Sequence, residues 1–353
     1  MTAIDELVRH QIDLTRYSNG VVRRMLAILN RTDPDLFAAL IDALERLGPD
    51  AYTVQRLDAL LESVRALNGR AYQSIADELG RELRGLTVAE LDFQRGLTAM
   101  QSPVVLTLAT VNPEQVYAAA MARPFQGRLL AEWAASIEEQ RMLRIRDAVR
   151  MGFVENQTVA QIARRIRGTR AKGYSDGIIE IDRRHAEAVA RTAISHLAGT
   201  VRDRWHEENA DILGAVMWVS TLDGRTSEAC RIRDHKRYTL EYRPIGHSIP
   251  WLSGPGRLHW NCRSVSLGLL EGQTKLYGER ASRDGPVDAN LTYAEWLKRQ
   301  PASVQDDVLG PTRGELFRSG GLQMDAFYND RGRWLTLEQL RARDAAAFKR
   351  AGV

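Results

Sequence analysis

Apolar residues in the first hundred positions recur at helical spacing. Ile4, Leu7, Val8 and Ile12 open the series, and Val21, Val22, Met25, Leu26 and Leu29 continue it. Steps of three and four lay one apolar stripe along a helix. Asp33-Pro34 reads as the cap and first residue of a new helix, with Leu36, Phe37, Leu40, Ile41 and Leu44 on its inner face. Leu57, Leu60, Leu61, Val64 and Leu67 form a further stripe that runs up to Asn68-Gly69. Thr87 and Glu90 have the spacing of a capping box ahead of Leu91. These stripes read as the core of a helical layer, and no cofactor site is read into them.

The texture changes at Pro103. The β-branched run VVLTLATV reads as a short strand or as the start of an extended crossing segment, and Pro113 opens a short helix that Pro124 closes. A long helix is expected from Leu129 to Phe153, and a compact one from its cap at Thr158 to Gly168. KGYSDG is a loop, and another long helix runs from Asp182 to Glu208. The convincing β region follows: AVMWVS at 215–220, then KRYTL and RSVSLGLL, with a short helix at Ser227–Arg233 between. After about residue 275 the pattern returns to helices in TYAEWLKRQ, ASVQDDVLG, TRGELFRSG and TLEQLRARDAAAFKR. The expected fold class is therefore α+β and predominantly helical. A helical region (1–122) precedes a central small mixed α/β domain with a short sheet (123–275), and a helical C-terminal extension (276–353) closes the chain.

Composition narrows the class. The chain has 353 residues, 44% hydrophobic and 27% charged, enough for a sizeable core and two or three domains. No run of about 18 apolar residues suggests a membrane span. MTAIDELVRHQIDL reads as an amphipathic helix carrying acids rather than a basic-then-apolar leader. Two cysteines do not make a disulfide framework, and a reducing compartment is the default.

The net charge of +4 is mild, but its distribution is uneven. Between Arg141 and Lys172 nine basic residues face only Asp147 and Glu155, a local net of +7. Arg141, Arg144, Arg164, Arg165, Arg167, Arg170 and Lys172 are thus candidate phosphate contacts. A solvated helix face is the competing reading.

Candidate chemistry gathers around the two cysteines. Cys230, His259 and Cys262 are ligand types that zinc prefers, and His-x2-Cys suits one knuckle of a metal site. A closed site needs a fourth ligand. His235 is the best candidate, with Asp234 and His247 behind it. Two other readings stay open. The cysteines can be small buried hydrophobes above a backbone-bonded His259, or they can be oxidised to a disulfide.

Asp223, Arg225 and His259 could in principle polarise a substrate. However, the arrangement lacks the second histidine of a metal-dependent HNH nuclease and the helix-start setting of a thiol hydrolase nucleophile. A structural reading is preferred. Asp223 in its turn accepts backbone N–H groups, and Arg225 and Arg263 pin the hairpin to the loop. Trp251, Leu252 and Trp260 offset the entropy of closing that loop. Asp223, Arg225, Cys230, His259, Cys262 and Arg263 then form one clasp.

The same residues carry a family resemblance. ARTAISHLAGTVRDRW, VMWVSTLDGRTSEACRIRDHKRYTL and PGRLHWNCRS occur in that order. Together they resemble the head-morphogenesis domain of tailed bacteriophages, the family of Mu F-like and SPP1-type minor head proteins. RPFQGRLLAEW, GYSDGIIE and TYAEWLKRQPASVQDDVLGPTRGELFRSGGL extend the resemblance over about residues 123–340. Many relatives have a cysteine where this chain has Ser227, and close with a further cysteine where it has Ser264. That departure favours a packed clasp over a four-ligand zinc site.

The resemblance implies a minor structural protein of the phage head, acting in procapsid or head assembly at or near the portal and in genome packaging or delivery. The implied partners are the portal protein, capsid or scaffold proteins and packaged double-stranded DNA, with no membrane during assembly. The implied location is inside the virion head, after the host cytoplasm during assembly. Residues 1–122 would supply the attachment or oligomerisation surface. No enzymatic activity is expected, and no cofactor apart from the zinc candidate. The alternatives are a metal-dependent nuclease or ADP-ribosyltransferase-like enzyme, and a DNA-binding module proper.

Overall fold

The computed structural model describes residues 2–47 and 54–353. Helices come first: α1 (Ala3–Leu47), α2 (Val54–Leu60), α3 (Glu62–Ala99), α4 (Pro113–Ala122), α5 (Leu130–Val154), α6 (Val159–Arg167) and α7 (Ile178–Glu208). The β region holds β1 (Leu213–Val219), α8 (Glu228–Arg231), β2 (Arg237–Tyr238), β3 (Pro244–Ile245) and β4 (Val265–Leu270). A hairpin, β5 (Glu279–Ser282) and β6 (Gly285–Asp288), precedes α9 (Tyr293–Lys298), α10 (Ala302–Leu309), α11 (Pro311–Arg318), α12 (Leu337–Arg343) and α13 (Ala345–Ala351). The fold is predominantly helical α+β, as the periodicity predicts.

Several local expectations are corrected. Asp33-Pro34 does not start a helix, because α1 runs through Pro34. The Asp33 carboxylate is taken instead by two arginines, Arg141 at 2.7 Å and Arg183 at 2.6 Å. Leu29, Leu36 and Leu40 are all fully buried, so one apolar stripe continues across the proline. Likewise α3 passes through Asn68-Gly69 and through Thr87. Asn68 donates to the Glu138 carboxylate at 2.9 Å rather than ending a helix. Glu90 does not complete a capping box. It is fully buried, bonded to His10 and 3.7 Å from Arg202. Of the two readings of VVLTLATV, the extended segment holds and the strand does not: it is extended chain without strand pairing, and the amide of Ala109 donates to Asn209 Oδ1 at 2.8 Å. The C-terminal segment is not wholly helical, since it carries the β5–β6 hairpin.

Two compact units emerge, and they cut across the expected divisions at 122 and 275. One comprises residues 15–86 and 117–194; the other comprises 1–14, 87–116 and 195–353. Among the described residues the first has no named strand and is built of helices. Leu36, Leu40 and Leu44 of α1 share its core with Met142, Ile145 and Val149 of α5 and with Ile162 and Ile166 of α6.

The second unit is built on a four-stranded antiparallel sheet of order β3-β2-β1-β4. Its register sets Met217 opposite Leu267 and Val216 opposite Tyr238. Alternation along β1 buries both faces. Ala215, Met217 and Val219 pack with Leu267, Leu269, Leu97 and the start of α1 (Ile4, Leu7, Val8). Val216 and Trp218 face the other way, into a cluster with Tyr238, Trp251, Cys230 and Cys262. The C-terminal helices have their own core, in which Trp296, Leu316 and Phe327 meet Leu222, Ile232 and Ile249.

Candidate functional site

The site forms where β1 ends and β4 begins. Ser227 caps α8, its hydroxyl accepting from the amide of Cys230, and this places the Cys230 sulfur on the Trp218 face of the sheet. The chain returns through a loop with several residues at positive φ. Gly256 has φ +78°, and a Cβ there would sit 3.0 Å from the Ser195 carbonyl, so glycine alone fits. Asn261 takes the left-handed conformation at φ 55°, one that asparagine tolerates, and the Cys262 amide donates to the His259 carbonyl at 3.2 Å. That tight turn folds His259 and Cys262 back onto Cys230.

The three side chains meet. Cys230 Sγ lies 3.3 Å from His259 Nε2 and 3.7 Å from Cys262 Sγ, and all three donor atoms lie within 4.8 Å of one another. Both cysteines are free thiols, buried to 1% and 0% exposure. His259 Nδ1 is 2.9 Å from the Trp260 carbonyl, and Nε2 is 2.8 Å from the Ser227 hydroxyl. The hydrogen bond between the sulfurs, together with burial, pushes the Cys230 thiol up. The same bond, aided by His259, holds Cys262 down, and the contact with Cys262 raises the His259 imidazole. Cys230, His259 and Cys262 are thus the residues here able to hold a soft metal.

Beside them, Arg263 donates to Asp223 through both ends of its guanidinium, at 2.6 and 2.8 Å. Asp223 also accepts from the Arg225 amide at 3.0 Å and the Thr226 hydroxyl at 3.1 Å. Burial alone would push its carboxyl up, but Arg263 and these donors hold it below the usual carboxylate range.

Other expected members lie elsewhere. His235 is not a fourth ligand: its Nε2 faces the Ala289 carbonyl at 3.0 Å and its Nδ1 faces Asp234 at 3.3 Å. Asp234 is committed to Arg280 and to the amides of Ser220 and Tyr293. His247 bonds the Arg237 carbonyl and the Ile249 amide. Asp234 and His235 belong to a separate polar knot around Arg280, and His247 is held by the backbone of the β2–β3 region, so geometry removes all three from the sulfur cluster. Arg225 enters the clasp by its amide, while its side chain is exposed. Leu252 is 57% exposed and Trp260 half-buried, whereas Trp251 is buried against Trp218, Tyr238 and Tyr242.

Three groups are poorly marked in the sequence: the Ser227 hydroxyl on His259 and the Tyr293 hydroxyl on the Asp223 carbonyl at 2.9 Å, both in the clasp, and the buried Arg280 of the separate knot. The capping preference of serine was the one local signal for Ser227. Tyr293 and Arg280 act from far along the chain and left no local trace.

The basic set divides. Arg141 is 1% exposed and serves Asp33, so it is withdrawn from the candidate phosphate contacts. Arg144 pairs with the buried Asp182, and Arg165 pairs with Glu155 at 2.7 Å. Arg164, Arg167, Arg170 and Lys172 are exposed, with Arg167 also lying over the rings of Phe37 and Tyr174.

The sheet and the clasp now have a counterpart among known families. Residues 143–267 match the family described as Phage Mu protein F like protein. The match runs from α5 to the middle of β4 and contains Asp223, Cys230, His259, Cys262 and Arg263. It bears out the resemblance to the phage head-morphogenesis family, a structural class of phage head protein. No curated protein and no solved structure matches the chain. No helix among the described residues is long and apolar enough to cross a membrane.

Proposed function

We propose that this chain is a minor structural protein of a tailed-phage head, built into the procapsid at or near the portal and carried inside the virion. The observation that carries this reading is the family match over residues 143–267, whose sequence hallmarks coincide with the parts of a single folded clasp. Hallmarks that cooperate in one packed structure point to a shared fold rather than chance similarity. A structural role also suits the chemistry: the sulfurs are sealed in the core, and the ion pair beside them is internally matched.

Arg164, Arg167, Arg170 and Lys172 form an exposed basic set on and just after α6. It is suited to touch packaged DNA, while the mild overall charge does not suit a protein that condenses it. The portal protein, with capsid or scaffold proteins around it, is the proposed partner, reached during assembly in the host cytoplasm.

The test is co-expression with the portal, scaffold and major capsid proteins of the same phage, followed by isolation of procapsids. Retention of the chain in procapsids, and its loss when the portal is omitted, supports the reading. Procapsids that contain portal but none of this chain would overturn it.

A further inference from the structure

The geometry points to a zinc site of three protein ligands, Cys230 Sγ, His259 Nε2 and Cys262 Sγ, with the fourth position on the side of the Ser227 hydroxyl. Its role is structural: the metal ties α8 to the turn that precedes β4. The inference stands apart from the proposed role in the head.

Distances come first. Zinc–sulfur bonds of about 2.3 Å and zinc–nitrogen bonds of about 2.0–2.1 Å at tetrahedral angles place two sulfurs about 3.7–3.8 Å apart and a sulfur about 3.6 Å from a nitrogen. The observed separations are 3.7 Å for the sulfurs and 3.3 Å from Cys230 Sγ to His259 Nε2. These two separations are close to those of such a tetrahedron, and all three donor atoms lie within 4.8 Å of one another.

The imidazole is also oriented for the task. A carbonyl can only accept, so the 2.9 Å contact to the Trp260 oxygen fixes the proton on His259 Nδ1. Nε2 then keeps its lone pair on the side where the Ser227 hydroxyl, at 2.8 Å, and Cys230 Sγ, at 3.3 Å, stand. Metal-bound histidines are commonly held by such a carbonyl contact on their other nitrogen.

Charge balance is the third observation. Cys230 and Cys262 are 1% and 0% exposed. Two thiolates with one divalent ion are neutral together, so such a centre buries no net charge. The nearby Arg263 and Asp223 already satisfy each other and make no demand on it.

The fourth corner is the distinctive part. Ser227 Oγ is 2.8 Å from Nε2, and its position is set by capping α8. An oxygen on that side, the hydroxyl itself or a water replacing its contact, would complete four-coordination. His235, Asp234 and His247 are bound elsewhere and do not compete for it.

The test uses the full chain purified without chelator. About one zinc per chain by elemental analysis is expected. Stripping the zinc should lower the melting temperature, and re-addition should restore it. Cobalt added to the stripped protein should give the visible bands of a tetrahedral centre and sulfur-to-metal absorption in the near ultraviolet. Ser227→Cys should strengthen that absorption and bind zinc at least about tenfold more tightly, since it offers a third thiolate. This variant keeps every native ligand, so it remains informative if Cys262→Ser fails to fold. Absence of zinc together with absence of the cobalt bands in the wild-type chain would overturn the inference. So would intact-mass analysis showing Cys230 and Cys262 joined as a disulfide in the freshly isolated protein.

Discussion

Arg263 and Asp223, forty positions apart in the chain, meet in a two-pronged ion pair with contacts of 2.6 and 2.8 Å. The pair fastens the turn after β1 to the residue that leads into β4. A fork-on-carboxylate geometry is the strong form of the interaction, and partial burial of both side chains limits screening.

Asp223→Asn should therefore lower stability by about 1–3 kcal/mol at neutral pH. The sign with pH follows from the depressed carboxyl of Asp223. Its contribution is present in full above the ordinary carboxylate range and is lost as pH falls through the lower native value. Urea unfolding of wild type and Asp223→Asn across this range should give curves that converge in acid. Parallel curves would show that the pair does not stabilise the fold as argued.

His206 predicts a different acid sensitivity. It is 3% exposed, and burial pushes its imidazole down to about 4. The unfolded chain takes up a proton near 6.5 that the native protein refuses. Stability should thus be greatest above 6.5 and fall as pH drops toward 4, by roughly 3 kcal/mol at most. His206→Gln should flatten this slope, as read by melting temperature against pH; an unchanged slope would place the effect elsewhere.

Arg280 tests the hairpin that the sequence did not announce. Its guanidinium is fully buried, 3.2 Å from Asp234 and bonded to the Ser220 carbonyl. Arg280→Met leaves the Asp234 charge buried without that partner, and about 3–5 kcal/mol of stability should be lost. A loss under about 1 kcal/mol in urea unfolding would mean that the knot relaxes around the change.

Two neighbours in the long loop should behave oppositely. Trp251 packs at 4.9–5.2 Å from the rings of Trp218, Tyr238 and Tyr242. Trp251→Ala should cost about 3–5 kcal/mol, while Leu252→Ala, at an exposed position, should stay within about 0.5 kcal/mol. Thermal melts of the two variants side by side check the contrast.

The basic residues should separate in the same manner. Reversing Arg164, Arg167, Arg170 and Lys172 to Glu should weaken retention on DNA and flatten its salt dependence, with the fold intact by circular dichroism. Arg141→Ala should instead destabilise the protein, because it strips Asp33 of a buried partner. Salt-dependent retention that survives the four reversals would remove these residues from any DNA contact.

Much of the site was legible because its signals are local. The strand at 215–220, the short helix carrying Cys230 and the turn around His259 each depend on residues within a few positions of one another. The order of the three motifs then pointed to a family whose match includes all of them. Helix boundaries were less legible. Asp33-Pro34 and Thr87…Glu90 both look like starts, but distant arginines and His10 claim the acids and let the helices run on.

By itself, then, the sequence determined the predominantly helical class, the central β region and the identity of the two thiols and imidazole that come together, since apolar periodicity and turn chemistry act over short range. Only the tertiary structure decided that His235 and Asp234 turn away toward Arg280, that Ser227 stands beside His259, and that Arg141 is core rather than surface. A polar side chain is free to choose among partners, and the cost of burying it unpaired is settled only when distant segments of the chain meet.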